Sequence, residues 1–270
     1  MKTPVPLRCR GITLTTAALS MLAVPALWAD DDDSDEGVIP FEEAELFFEF
    51  NSTDEDLGIH ISVDGDAWKE LEIEAPNGRE LLEIEARSRL RRQGLTQLFI
   101  ESAEPTFDEL DPADFFARFP EGEYEIGGTS LDGEELESVA ELAHLLPAAP
   151  AARVNTIPAD DDCDSIDVAI APPVVIEWDA VTASFDGDGF PDSEAITVHN
   201  YEVVVEAEVD DLLVITSTIL PPDARSYTVP DDFIGLSGVW KFEVLVREES
   251  SNQTSIESCF LNTAFVPPAP

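Results

Sequence analysis

The chain has 270 residues and carries 58 Asp and Glu against 14 Lys and Arg, a formal net charge of −44 at pH 7. Such a charge repels phosphates and excludes nucleic acid as a partner; it disfavours an anionic membrane surface and attracts cationic ligands, Ca²⁺ and basic proteins. In a salty medium, where exposed charges are screened beyond about 8 Å, the same acidity serves solubility alone.

The first element is a targeting segment. Lys2, Arg8 and Arg10 precede an apolar run over residues 11–28, Ala29 stands at a suitable cleavage point, and Asp30 opens an acidic tract. This is the layout of a secretory signal peptide over residues 1–29, and it predicts a secreted or periplasmic protein. Ser20 and Pro25 interrupt the run, which is short for a bilayer span. No later stretch is apolar enough to insert, so no membrane insertion is expected of the mature chain. Cys9 lies ahead of the apolar core, out of place for a lipoprotein cysteine. Cys163 and Cys259 remain after cleavage, and an even pair in an oxidising compartment suggests one disulfide. Residues 30–37 read as a solvated acidic linker.

Residues 38–146 read as an N-terminal β domain. Residues 45–50 are a short apolar and aromatic alternation. In 59–63 the side chains of Ile59, Ile61 and Val63 share a face, and Asp64-Gly65-Asp66 then reads as a hairpin turn. Trp68, Leu71 and Ile73 alternate with charged residues, and Pro76-Asn77-Gly78 is a further turn. Residues 81–90 fit strand or helix, and 95–101 fit a strand. Asp111 followed by Pro112 marks a helix start; the short helix over 112–119 would bury Phe115, Phe116 and Phe119. Residues 123–129 and 134–144 read as a hairpin around Asp132-Gly133. The Pro/Ala stretch 147–152 is expected to be a linker.

Residues 153–267 are again strand-rich. Val174 to Trp178 ends in a large aromatic; strands over 201–206, 212–220 and 226–229 follow. In 239–247 the residues Trp240, Phe242, Val244 and Val246 face inward, and 256–264 closes the chain. With these residues the segment resembles a fibronectin type III domain. Val174–Trp178 followed by Asp179 is similar to strand B, the Tyr201-led strand to strand C, Ser226-Tyr227-Thr228-Val229 to strand E and 240–247 to strand F. Ser250-Ser251-Asn252-Gln253 is similar to the polar turn before strand G. The resemblance departs at Trp240, where a Tyr is common, and in long A–B and B–C connections. It implies a β-sandwich used for binding or spacing. In such a sandwich strands A and G run roughly the same way, which brings Cys163, in the A–B turn, towards Cys259, late in strand G; the resemblance thus implies a Cys163–Cys259 bridge. The N-terminal half is similar to segments of exported bacterial proteins at Asp66-Ala67-Trp68-Lys69, Pro76-Asn77-Gly78-Arg79, residues 101–105 and residues 120–124, which implies no chemistry. The fold class expected is all-β, two β-sandwich-like domains in tandem with one short helix in the first.

The sharpest chemical motif is Asp186-Gly187-Asp188-Gly189-Phe190-Pro191-Asp192. Ca²⁺ takes six to eight oxygens, which Asp186, Asp188, Asp192 and Glu194 would begin to supply; the same residues also suit a polar turn whose glycines take positive φ. No other cofactor is expected. Arg87, Arg89, Arg91 and Arg92 cluster in an acidic chain, either to bind an anion or partner from one strand face or to pair locally with Glu83 and Glu85. His60, His144 and His199 are scattered, and no nucleophile motif accompanies them. Trp68, Trp178 and Trp240 fall at inward positions, which favours core over sugar stacking. The sequence therefore predicts a non-catalytic exported binding or spacer protein with an unknown protein or surface partner. Its alternatives are an extracellular carbohydrate-binding accessory protein or hydrolase and a calcium-stabilised adhesion module.

Overall fold

A computed structural model describes residues 38–158, 163 and 166–266. The expected signal peptide and the acidic tract behind it lie outside the described residues. The protein is all-β, with a few short helices.

The N-terminal half runs β1 (Glu43–Asn51), β2 (Asp56–Glu74), β3 (Glu80–Glu85), α1 (Ser88–Gln93), β4 (Leu95–Glu101), α2 (Pro112–Arg118), β5 (Gly122–Ser130) and β6 (Glu135–Leu142). Alternation in β1 sends Leu46, Phe48 and Phe50 into a core and Glu45 and Glu49 to the opposite face. The long strand β2 pairs with β1 and β4 in its first part and with β3 and β5 in its second, with register shifts between Asp64 and Trp68 against β4. Asp64-Gly65-Asp66, expected as a hairpin turn, is thus a bend within one strand. Gly65 lies so close to the preceding segment that a Cβ would stand 3.3 Å from Phe41 Cα, a close approach that a bare glycine permits. Trp68, Leu71, Ile73, Tyr124 and Ile126 close the core from the second part of β2 and from β5. The helix expected at 112–119 forms over Pro112–Arg118 as its cap predicted: Ala113 N donates to Asp111 Oδ1 at 2.9 Å, Pro112 opens the first turn, and Phe115 and Phe116 are buried against Phe48, while Phe119, just past the helix, is half-buried. Residues 81–90 divide into the end of β3 and the start of α1, so the arginines share no strand face. Arg87 pairs with Glu85 at 2.8 Å, and Arg91 with Glu70 at 2.8 Å.

The C-terminal half runs β7 (Ala152–Val154), β8 (Ile157–Pro158), β9 (Ala169–Ile170), β10 (Val174–Trp178), β11 (Val198–Val209), β12 (Leu212–Leu220), β13 (Ser226–Val229), α3 (Asp231–Ile234), β14 (Val239–Glu248) and β15 (Gln253–Asn262). One layer has the order β13-β10-β7-β8 and the other carries β12-β11-β14-β15. The strands read as B and E are neighbours, as are those read as C, F and G, giving a fibronectin type III-like sandwich. Trp178, Tyr201, Trp240, Phe242 and Phe260 fill its core. Cys163 and Cys259 form a disulfide with Cα atoms 5.3 Å apart.

The halves keep separate hydrophobic clusters, yet the described residues form one compact unit. Parallel pairing of β1 with β15, Glu49 opposite Gln253 and Asn51 opposite Ser255, carries one 11-stranded sheet across the junction. Behind the seam, Thr254 Oγ1 donates to Pro147 O at 2.7 Å and Ala148 N to Ala183 O at 3.0 Å. The stretch 147–152, expected as a linker, is therefore held by hydrogen bonds to the C-terminal half. A further tie is aromatic. Phe185 and Phe190, on the loop between β10 and β11, pack on Phe50 at 4.8 and 5.5 Å in the N-terminal core.

Candidate functional site

The described residues bring one group of potential metal-binding side chains together, and it lies at the seam. On the face of β1 opposite the core, Phe47 stands across from His60 of β2 and Glu49 across from Gly58. Glu101 of β4 is opposite His60 on the other side, and the chain leaving β4 brings Glu104 back over β2. The result is an imidazole with two carboxylates within reach of it and of each other. His60 Nε2 is 3.4 Å from Glu104 Oε1, and Nδ1 is 3.8 Å from Glu49 Oε2. Gln253 Nε2, from β15, donates to Glu49 Oε2 and fixes that carboxylate from the C-terminal half. Phe47 and Phe99 flank the imidazole at 5.2 and 5.8 Å between ring centroids, and His60 is only 5% exposed.

Gly58 makes this arrangement sterically possible. A Cβ at position 58 would stand 2.6 Å from Glu104 Oε1, so any larger residue would push Glu104 away from the imidazole.

The electrostatics show an excess of negative charge. Burial pushes the Glu49 carboxyl up; His60 and the Gln253 hydrogen bond oppose this, and Glu104 and Glu101 add to it. Burial alone would lower His60, but its hydrogen bond to Glu104 and the charges of Glu49 and Glu104 outweigh that and raise it. Asp56 is pushed up to about 6 by burial and by the Glu104 and Asp54 charges. Across the seam on β14, burial first and the Glu49 charge second push Glu243 up to about 7.

Glu243 yields a pH prediction. Its unfolded carboxyl has an ordinary value of 4.5. Between that value and about 7 the folded chain keeps a proton that the unfolded chain has released. Stability therefore falls as pH rises through this window. For this mostly buried group the loss is ~2–3 kcal/mol. Glu243→Gln should raise the urea midpoint at about pH 8 and leave it nearly unchanged at about pH 5. Parallel pH profiles for the two proteins would refute the assignment.

The residues singled out in the sequence fall elsewhere. Asp186, Asp188, Asp192 and Glu194 are all exposed, and no three of them lie together as a donor group. The loop is turned by Phe190 N donating to Gly187 O at 3.0 Å. At its tip Gly189, with φ +85, lies against the first turn of α2, where a Cβ would meet Ala113 N at 3.0 Å. The glycines thus serve a positive φ and a close approach, and the two phenylalanines carry the loop's packing. Trp68, Trp178 and Trp240 are at most 1% exposed, so none of them offers a face to a sugar ring. His144 Nε2 is 2.8 Å from Phe119 O, and His199 is exposed. Sequence reasoning missed Glu49 and Glu104 because 58 acidic residues mask any pair. The available signal was a histidine at an outward position two residues from a strand glycine.

No protein-family model matches the chain, and no curated protein matches it. Solved structures that the chain matches include one from a 1.5-MDa bacterial ice-binding adhesin, at 10% identity over 84% of this chain and 66% of that chain, with a TM-score of 0.23. The chicken CNTN1 FN1–FN3 domains match at 9% identity over 83% of this chain and 68% of theirs, with a TM-score of 0.31. A tetra-tandem repeat from the extending region of a large adhesion protein matches at 12% identity over 82% of this chain and 50% of that one, with a TM-score of 0.27. Likenesses of this strength fix neither family nor partner.

Proposed function

We propose that the chain is an exported, non-catalytic protein that binds another protein or a surface, or spaces such contacts, as one stiff β body. The observation that carries this reading is the junction. A continuous sheet, the side-chain hydrogen bonds of Asn252 and the insertion of Phe185 and Phe190 join two β cores that would otherwise hinge on a Pro/Ala linker. A spacer or a multi-point binder needs that fixed geometry, since flexible domain pairs lose conformational freedom on binding. No helix among the described residues is long and apolar enough to cross a membrane.

The surface favours a cationic partner. In the N-terminal half a cleft of about 450 Å³ includes Gly127 and Gly128 in its lining and is ringed by Glu72, Glu74, Glu125 and Glu135; its field attracts positive groups. The immobilised full chain should saturably retain a defined component of the envelope or culture medium of its source cells. That component should be released unaltered and should bind less tightly as salt rises. Turnover of an oligosaccharide or peptide substrate, lost when His60 is replaced, would put catalysis in the place of binding.

A further inference from the structure

We propose that Glu49, His60 and Glu104 bind a divalent transition-metal ion of the Zn²⁺ class at the seam between the two halves. This inference does not depend on what the chain binds elsewhere on its surface.

The donor set selects the ion. One ligand atom from each side chain lies within 4.8 Å of the other two. An imidazole with two carboxylates is a nitrogen and oxygen set that suits Zn²⁺, whereas Ca²⁺ and Mg²⁺ take shells of oxygen. Two ligand atoms held about 2.1 Å from a tetrahedral ion stand about 3.4 Å apart. His60 Nε2 and Glu104 Oε1 already have that separation, at 3.4 Å. Glu49 Oε2 stands 3.8 Å from Nδ1, and its carboxylate, within 4.8 Å of the other two ligand atoms, would have to turn towards the Nε2 side to supply the third ligand, with water completing the tetrahedron.

The surroundings are built as a supporting shell. Gln253 orients the Glu49 carboxylate, the kind of contact that fixes ligands in metal sites. Phe47 and Phe99 restrict the imidazole from two sides. Gly58 leaves the space that Glu104 occupies, although glycine weakens a strand. Glu101 and Asp56 lie close enough to add negative charge to the group, which a dication would offset. The ligands come from β1, β2 and the segment after β4, and the carboxylate on β1 is steadied from β15. A bound ion would therefore tighten the junction on which the stiffness of the chain depends.

The test uses the full chain, stripped with a chelator and titrated calorimetrically with ZnCl₂ in excess MgCl₂ and NaCl, which suppress diffuse binding to acidic surface. CoCl₂ supplies a second readout through the visible absorption of a tetrahedral Co²⁺ centre. One ion should bind per chain, and His60→Asn should abolish binding and the Co²⁺ bands. Gly58→Ala should weaken binding ~10–100-fold although it removes no donor, because it displaces Glu104. His144→Asn and His199→Asn should leave binding unchanged. Circular dichroism checks that each variant is folded, and Gly58→Ala keeps the test decisive if His60→Asn is not. Zn²⁺ affinity that is the same in wild type and Gly58→Ala, or wild-type Co²⁺ spectra without tetrahedral bands, would overturn the proposal and leave the group as an ion pair around a proton.

Discussion

Removing the Cys163–Cys259 disulfide is expected to lower the stability of the chain by ~4–5 kcal/mol. The bonded residues are 96 positions apart. The closed loop contains β10, β11, β12, β13 and β14, most of the C-terminal sandwich. Opening it gives the unfolded chain access to many extended conformations that the cross-link forbids, and the entropy gained grows with the logarithm of loop length. Few folded-state contacts offset this, because Cys163 is exposed and Cys259 is a small residue on β15, opposite Lys241. The measurement is urea unfolding of the oxidised chain beside a Cys163→Ser/Cys259→Ala variant, with the reduced wild type as a third sample. Agreement between the reduced chain and the variant separates loss of the cross-link from the side-chain changes. A difference from the oxidised chain below ~1 kcal/mol would show that the unfolded state is restricted by something else.

The disulfide was legible in the sequence from its even pair of cysteines, and the resemblance implied where the pair meets; elsewhere in the molecule, legibility divides by distance along the chain. Features set by neighbouring residues could be read directly. Alternation placed Trp68, Trp178 and Trp240 in the core, and Asp111 with Pro112 marked the start of α2. Features set by distant chain could not. Asp64-Gly65-Asp66 has the composition of a turn, but Gly65 meets Phe41 and the strand continues through it. Asp186–Asp192 has the composition of a cation loop, and nothing in that composition tells that Phe190, with Phe185 just ahead of it, enters a core built from the other half. The pairing of β1 with β15 joins residues about 200 positions apart, and no periodicity within either strand records it. The Glu49–His60–Glu104 group was invisible for that reason and one more: in so acidic a chain a functional carboxylate looks like every other. The histidine alone stood out, and its partners needed the register.

That register rests on Asn252, and Asn252→Ala is expected to destabilise the chain by ~3–5 kcal/mol. Asn252 is fully buried at the turn between β14 and β15. Its Oδ1 accepts from Phe48 N at 2.8 Å, and its Nδ2 donates to Ala143 O at 2.8 Å and to Leu145 O at 3.0 Å. All three partners belong to the N-terminal half, so one C-terminal side chain satisfies three of its backbone groups. Truncation leaves a buried donor and two acceptors to find water or go unpaired, at about 1–3 kcal/mol for each group that fails. The loss falls on the seam and spares both hydrophobic clusters, so the manner of unfolding should change along with the midpoint. Trp68 reports on the N-terminal core, and Trp178 and Trp240 on the C-terminal one. Fluorescence is read from chains that retain only one of these two sets, the other being replaced by Phe. The two reporters should give coincident urea transitions while Asn252 is present and separated transitions after Asn252→Ala. Asn252→Asp keeps an acceptor for Phe48 N but turns a buried carboxylate oxygen towards the Ala143 and Leu145 carbonyls, and its midpoint should fall at or below that of Asn252→Ala. Coincident transitions in the Asn252→Ala chain at the wild-type midpoint would mean that the seam is held by strand pairing and aromatic insertion alone.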